Sequence, residues 1–263
     1  MNRFVKGAAV TLLALVLAAC ASVREQGEAA DGIATSPWAR QSDVPIRIPD
    51  DTPVAAAGWK HMTFPGKQPT RFGYARKDGR DTVAVLAASS ASMMRNKIRI
   101  EPAALGQVRF SWKVPHLIEG ANLDLRDADD SPVRIVLAFE GDRTKFSAKD
   151  SMLSELTRAL TGEEMPYATL MYVWCNDRAP GSVVRGPRTD RIRKLVVESG
   201  AGKLNQWLDY ERDIAADFER AFGEKPGALV GIGIMTDSDN TRSTTTAWYG
   251  PLRLGGPRPP SKE

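Results

Sequence analysis

Residues 107–114 read QVRFSWKV, and their alternation decides the fold class. Val108, Phe110, Trp112 and Val114 take one side of an extended chain, and Arg109, Ser111 and Lys113 take the other. A period of two marks a half-buried strand, whereas a helix needs apolar residues three or four apart. PVRIVLAFEGD at 132–142 repeats the pattern, with Val133, Ile135, Leu137 and Phe139 on one face. Further strand-like runs lie on either side: WKHMTFP at 59–65, TRFGYAR at 70–76, ATLMYVW at 168–174, RIRKLVVES at 191–199, GALVGIGIM at 227–235 and TAWYGPLRL at 246–254. TVAVLAASS at 82–90 is apolar almost throughout, as expected of a strand covered on both faces. Short strands parted by Gly, Pro and Asx turns, such as Asp78-Gly79, predict a mainly β chain folded as a single antiparallel sandwich.

Two stretches break this pattern. KDSMLSELTRALTG offers Asp150 as N-cap, Leu153, Leu156 and Leu160 as an apolar stripe, and Gly162 as a stop. RDIAADFERAFGEKP offers Asp213 as cap, Ile214, Phe218, Ala221 and Phe222 as its apolar side, and Gly223 at the C-terminal end. Both are expected to be short peripheral helices packed on the edge or end of the sandwich.

The N-terminus, MNRFVKGAAVTLLALVLAAC, has a basic start at Arg3 and Lys6, a short apolar core and small residues before Cys20. The apolar run is too short for a membrane span and reads as a secretion signal over residues 1–19. Leu17-Ala18-Ala19-Cys20 resembles the lipobox of bacterial lipoproteins. The resemblance implies lipidation of Cys20 and a membrane anchor in the cell envelope, with Ala21 favouring the outer membrane, facing the periplasm. Residues 20–53 are polar and Pro-punctuated and are expected to be a flexible tether, with a possible edge strand at Val44–Ile48. Residues 54–256 are expected to form the sandwich and 257–263 a disordered tail. Losing residues 1–19 lowers the formal charge from +4 to +2, so no basic surface for nucleic acid is expected. With Cys20 lipidated, Cys175 in LMYVWCND has no disulfide partner and reads as a buried apolar residue.

Several stretches in order, among them GWKHMTFPGKQPTRF, ASSASMMRNKIRIEP, DADDSPVRIVLAFEGD, QWLDYERDIAADFERAFGEKP, GIGIMTDSDNT and AWYGPLRL, resemble a bacterial family known as domain of unknown function 3047. The resemblance spans nearly all of residues 54–254. Similar phrases occur in jelly-roll carbohydrate-binding modules and polysaccharide-acting sandwiches, which implies a jelly-roll-like form. Cys175 stands where family members often carry Gly.

Four groups of residues carry the chemistry. DLRDADDSPVR packs Asp124, Asp127, Asp129 and Asp130 into seven residues, and their mutual repulsion calls for Arg126, Arg134 or a hard cation such as calcium. Arg134 sits between apolar strand positions on the opposite face from Val133 and Ile135, so it needs a carboxylate partner; Asp130 is the expected one. TDSDNT at 236–241 offers Asp237, Asp239 and Asn240 either to calcium, to a ligand or to an Asx turn. Trp248 and Tyr249 are strand neighbours and point to opposite faces, so one of them is expected to be exposed for ligand contact together with Arg134. A lyase-like set could be assembled from His116, Arg134, Tyr172 and Asn176. No Ser elbow, Cys–His pair or zinc spacing is present.

The leading expectation is a non-catalytic envelope lipoprotein that binds a glycan or other envelope component. The alternatives are a polysaccharide lyase or hydrolase, and an assembly lipoprotein that binds another envelope protein. A cleft joining His116, Arg134 and a Tyr would mark the enzyme, exposed aromatics on a concave sheet a glycan binder, and a flat apolar patch a protein partner.

Overall fold

The computed structural model describes residues 32–42 and 58–256. The signal segment, Cys20, the strand expected at 44–48 and the tail at 257–263 lie outside them. Thirteen strands run in chain order: β1 Trp59–Thr63, β2 Arg71–Lys77, β3 Arg80–Ala88, β4 Ala91–Ile100, β5 Gln107–Lys113, β6 Ser131–Phe139, β7 Ala168–Cys175, β8 Val183–Arg185, β9 Ile192–Ser199, β10 Trp207–Asp213, β11 Leu229–Asp237, β12 Thr244–Tyr249 and β13 Arg253–Leu254. Besides a helical turn at residues 32–34 and short 3-10 helices at Pro102–Ala104 and Arg143–Lys145, the described residues hold three α-helices: α1 Pro37–Gln41, α2 Ala148–Thr161 and α3 Ile214–Phe222. None is long and apolar enough to cross a membrane among the described residues.

The strands form two sheets of a jelly-roll-like sandwich. One has seven strands in the order β1-β4-β11-β6-β7-β9-β8, the other six in the order β10-β5-β12-β3-β2 with β13 beside β5. Pairing is antiparallel except at β7 and β9, which run parallel. That departs from the expected all-antiparallel sandwich. The chain leaves β7, runs back as β8 along the far side, and returns as β9 between them.

The alternation at 107–114 holds: Val108, Phe110, Trp112 and Val114 are buried between the sheets. Phe110 stacks on Tyr172 of the facing sheet with centroids 5.6 Å apart, and on Tyr210 of β10 at 5.3 Å. β2 and β3 join at Asp78 and Gly79, both with positive φ, a turn whose twist matches a strand pair. β3 is not covered on both faces, because Leu86 on its outer side is exposed. The strands buried on both faces are the central β11, β6 and β7. β4 and β10 fall outside the strands expected from the sequence: Asn96 interrupts the apolar face of β4, and β10 runs directly into α3.

The helices differ from one another. Asp213 caps α3 by accepting from the Ala216 N–H at 3.0 Å, and Phe218 packs on Phe139 at 4.6 Å, as expected. α2 is capped by Ser147 rather than Asp150, whose own N–H donates to Ser147 Oγ at 3.1 Å. Its leucine stripe does not pack inward: Leu156 is 53% and Leu160 60% exposed. The helix is held by its polar side, where Thr189 Oγ1 donates to Asp150 at 2.5 Å and Arg143 donates to Ser154 Oγ at 3.0 Å. A polar face with specific partners has overridden the apolar periodicity.

Residues 32–42 correct the tether expectation. Ser36 caps α1 by accepting from the Ala39 N–H, and Pro37 fits the first helical turn. Ile33 and Trp38 are fully buried in the main core, with Trp38 and Trp59 rings 4.8 Å apart. Ser42 Oγ accepts from the Leu252 N–H and the Gln41 carbonyl from Arg253 Nε, so the segment is fastened to the sandwich. Trp38→Ala is expected to cost about 3–5 kcal/mol in denaturant unfolding. A loss under about 1 kcal/mol would show that the segment is only loosely attached.

Candidate functional site

The outer face of the seven-stranded sheet forms the floor of a groove of about 1210 Å³. Strand register sets its floor. Met62, Met93 and Met235 lie in one row across β1, β4 and β11. Gly233, Val136, Met171 and Lys194 form the next row across β11, β6, β7 and β9. Five of the chain's eight methionines line the groove, so its floor is apolar and conformable. Gly231 and Gly233 leave a trough beside Ala138 and Val136. A Cβ on Gly233 would come within 2.9 Å of the Met94 carbonyl oxygen, so the trough depends on glycine there.

At one end the floor gives way to a knot of charges. Arg134 is 3% exposed and lies on the groove face, as its strand position requires. Its Nε donates to Asp237 Oδ1 at 3.0 Å, and its Nη2 donates to the Asp129 carbonyl and Oδ1 at 3.0 and 3.1 Å. Asp130, the expected partner, does other work. It accepts from Asn240 N and Nδ2 at 3.2 and 3.1 Å and from Thr241 N and Oγ1 at 2.7 and 2.6 Å, holding the 237–241 loop. Lys194, 1% exposed, lies 2.6 Å from Asp129 Oδ1 and donates to the Leu123 carbonyl at 3.0 Å. Lys67 pairs with Asp239. Burial drives the Asp237 carboxyl up to about 6 despite Arg134. Burial acts on Asp129 in the same direction, but Arg134 and Lys194 together hold its carboxyl below the usual range.

The fold therefore unites the two acidic loops. Carboxylate oxygens of Asp130, Asp237 and Asp239 lie within 4.8 Å of one another, with Asn240 beside them. These are the oxygens expected to hold calcium. Arg134 and the Ser131 N–H already engage Asp237, and Lys67 engages Asp239.

The other candidates are dispersed. Tyr172 faces the core and pairs in register with Ile135, on the opposite side of the sheet from Arg134. His116 is exposed in the loop after β5, and Asn176 donates to the Ile118 and Ala121 carbonyls. The lyase-like set does not converge, because strand alternation sends Arg134 and Tyr172 to opposite faces. Tyr249 is buried: its hydroxyl donates to the Met235 carbonyl at 2.5 Å and accepts from the Arg134 N–H at 3.1 Å. It ties the six-stranded sheet to the back of the groove instead of meeting a ligand. Trp248 is half-buried on the outer face of the six-stranded sheet, across the molecule from Arg134. Lys77 covers its ring at 4.8 Å, and Arg80 covers nearby Trp207 at 4.9 Å. Cys175 is free and buried, as expected.

The groove itself was absent from the sequence reading. Its signal lay in the alternate residues of β4, β6, β7 and β11: Met, Gly, Ala and Val on the face away from the core.

A jelly-roll-like sandwich with an open groove on one sheet is thus the class of domain defined by fold and site. Residues 57–253 match the protein family of unknown function DUF3047, and the chain belongs to that family. No curated protein matches it by sequence. Solved structures of related shape include a CBM4 structure, 10% identical over 82% of this chain and 96% of that one, at a TM-score of 0.35. Another is the xyloglucanase domain of NopAA, a type three effector from Sinorhizobium fredii in complex with cellobiose, at 11%, 76%, 93% and 0.40. A third is the cellulose induced protein Cip1, at 9%, 75%, 93% and 0.37. At these identities the likeness extends to fold alone.

The groove wall beyond α2 is fastened by Glu163. Arg95 donates to its two carboxylate oxygens at 2.7 and 3.0 Å, and Lys97 to one of them at 2.8 Å. The hydrogen bond from Arg95 leads in holding its carboxyl down, to about 2. A depressed folded value contributes stability that is present above the ordinary value of 4.5 and is lost as pH falls through about 2. Melting temperatures measured between about pH 5 and pH 2 should therefore fall less steeply for Glu163→Gln than for the parent. Parallel curves would remove Glu163 from the acid response.

Proposed function

We propose that the protein is a non-catalytic binding module of the bacterial cell envelope, anchored through Cys20 to a membrane, with an elongated envelope component lying along the groove. The open groove of about 1210 Å³ across the seven-stranded sheet carries this reading. It exceeds the roughly 300–1,000 Å³ typical of small-molecule pockets. Catalysis finds less support. No His, Cys or Ser is among the described residues that line the groove, and its buried acids are tied to Arg134, Lys194 and Lys67. Stacking of sugars finds less support, since no Trp is among the described residues that line the groove and the rings of Trp248 and Trp207, on the other sheet, lie under cations. Pairing of another protein with the β2 edge is discouraged by Arg71, Arg76 and Lys77 along it.

Ala138→Trp fills the trough without touching the core. Envelope material that copurifies with the parent protein, extracted and measured by mass spectrometry, is expected to fall about tenfold in the variant. Unsaturated or newly reducing sugar ends released from envelope polysaccharide by the parent would sink the non-catalytic reading.

In the same reading the loop knot is braced by its own cations. Added calcium, and then a chelator, is expected to leave the melting temperature unchanged, whereas Lys67→Met lowers it. A calcium-dependent rise that chelator reverses would place a metal among Asp130, Asp237 and Asp239 instead.

A further inference from the structure

We propose that the groove takes an anionic phospholipid, with its acyl chains on the methionine floor and its head group at Arg126 and Arg188. The inference rests on the groove being a binding site and names the chemistry of what it holds.

Three observations lead there. The first is the floor. Met93, Met235, Met171 and Val136 form a second apolar cluster on the outside of the sheet, separate from the core between the sheets. Methionine side chains are flexible and polarisable, and they fit a chain whose conformation varies along its length. Gly231 and Gly233 leave a trough in this surface beside Ala138 and Val136, an apolar bed for methylene chains.

The second is charge. Most cations of the groove are already matched: Arg95 and Lys97 by Glu163, Arg99 by Glu101 and Glu140, and Lys194 by Asp129. Arg126 and Arg188 also line it, both exposed, and neither guanidinium is engaged by an ion pair or hydrogen bond among the described residues. Lys194 of β9 fastens the loop of Arg126 through the Leu123 carbonyl, and Arg188 lies in the β8–β9 connection. Two free guanidiniums beside an apolar trough complement an amphiphile with a phosphate head.

The third is the rim. Thr157 and Thr161 of α2 line the groove, while Met152, Leu156 and Leu160 on the same helix form an exposed apolar stripe. The stripe lets the rim rest on a bilayer surface while a lipid passes into the groove.

The test uses the full chain and vesicles carrying phosphatidylglycerol with a fluorophore on one acyl chain, self-quenched until the lipid is withdrawn. A parallel set carries phosphatidylcholine with the same label. The parent protein is expected to dequench the phosphatidylglycerol vesicles, with weaker transfer of phosphatidylcholine. Ala138→Trp is expected to abolish both transfers. R126E/R188E changes only exposed side chains, so it reports even if the tryptophan variant misfolds. It is expected to lower phosphatidylglycerol transfer about tenfold and phosphatidylcholine transfer less, because the choline cation already offsets the phosphate there. Equal transfer of the two lipids by the parent, no transfer of either, or displacement of the lipid by chitohexaose would overturn the proposal. If no lipid moves but Ala138→Trp still strips copurifying envelope material, only the lipid assignment falls. If that variant loses nothing in either experiment, the binding reading falls with it.

Discussion

A guanidinium taken out of water must be paired, and the placement of Arg134 makes that demand in the middle of a sheet. Its neighbours on β6 point into the sandwich, so strand geometry leaves it only the groove face. Asp129 and Asp237 meet it there, from a loop that precedes β6 and from the end of β11. Removing one partner of such a buried pair typically costs about 3–5 kcal/mol, because the other charge is left uncompensated. The loops that carry these partners wall the groove, so the same constraint that satisfies Arg134 also shapes the site. Tyr249 extends it across the molecule, since its hydroxyl holds the Arg134 N–H and the Met235 carbonyl from the opposite sheet.

The rest of the groove follows from what the seven-stranded sheet does not bury. Its inner face carries Ile135, Leu137, Leu170, Ile232 and Ile234, and these close the core against Phe110 and Trp112. Its outer face alternates to methionine, valine and glycine; Leu123 of the loop before β6 packs against part of it, and the rest is the floor of the groove. α2 stands at the rim and not over the floor, because Asp150 and Ser154 fix its polar side to Thr189 and Arg143. An open apolar sheet face with a polar rim is the arrangement of a site for a ligand rather than of a second core.

Much of this architecture was legible from single residues. The alternation at Val108, Phe110, Trp112 and Val114, the caps of α3 at Asp213 and Gly223, and the need of Arg134 for a carboxylate all follow from local geometry. The partner of Arg134 was not legible. Asp130 is nearer in sequence, but its oxygens are taken by Asn240 and Thr241, more than a hundred residues away. The docking of Trp38 was hidden for a similar reason. A five-residue helix in a polar, Pro-punctuated stretch carries little periodicity, and its burial depends on Trp59 and on the β13 region. The leucines of α2 misled in the opposite direction, since apolar spacing states which residues share a face but not whether anything covers that face.

By itself the sequence determined the class of fold, because a period of two over many short runs permits only sheets with one face turned inward. It determined as well that Arg134 and the two acidic loops would need compensation, since charge and desolvation are properties of the residues themselves. Only the tertiary structure decided which acids answer Arg134, that Tyr172 and Tyr249 serve the core, and that methionines from four strands make one floor. The physical reason is strand order. Residues on β1, β4, β11, β6 and β7 become neighbours through hydrogen-bonded pairing between segments far apart in the chain, and no local pattern records that pairing.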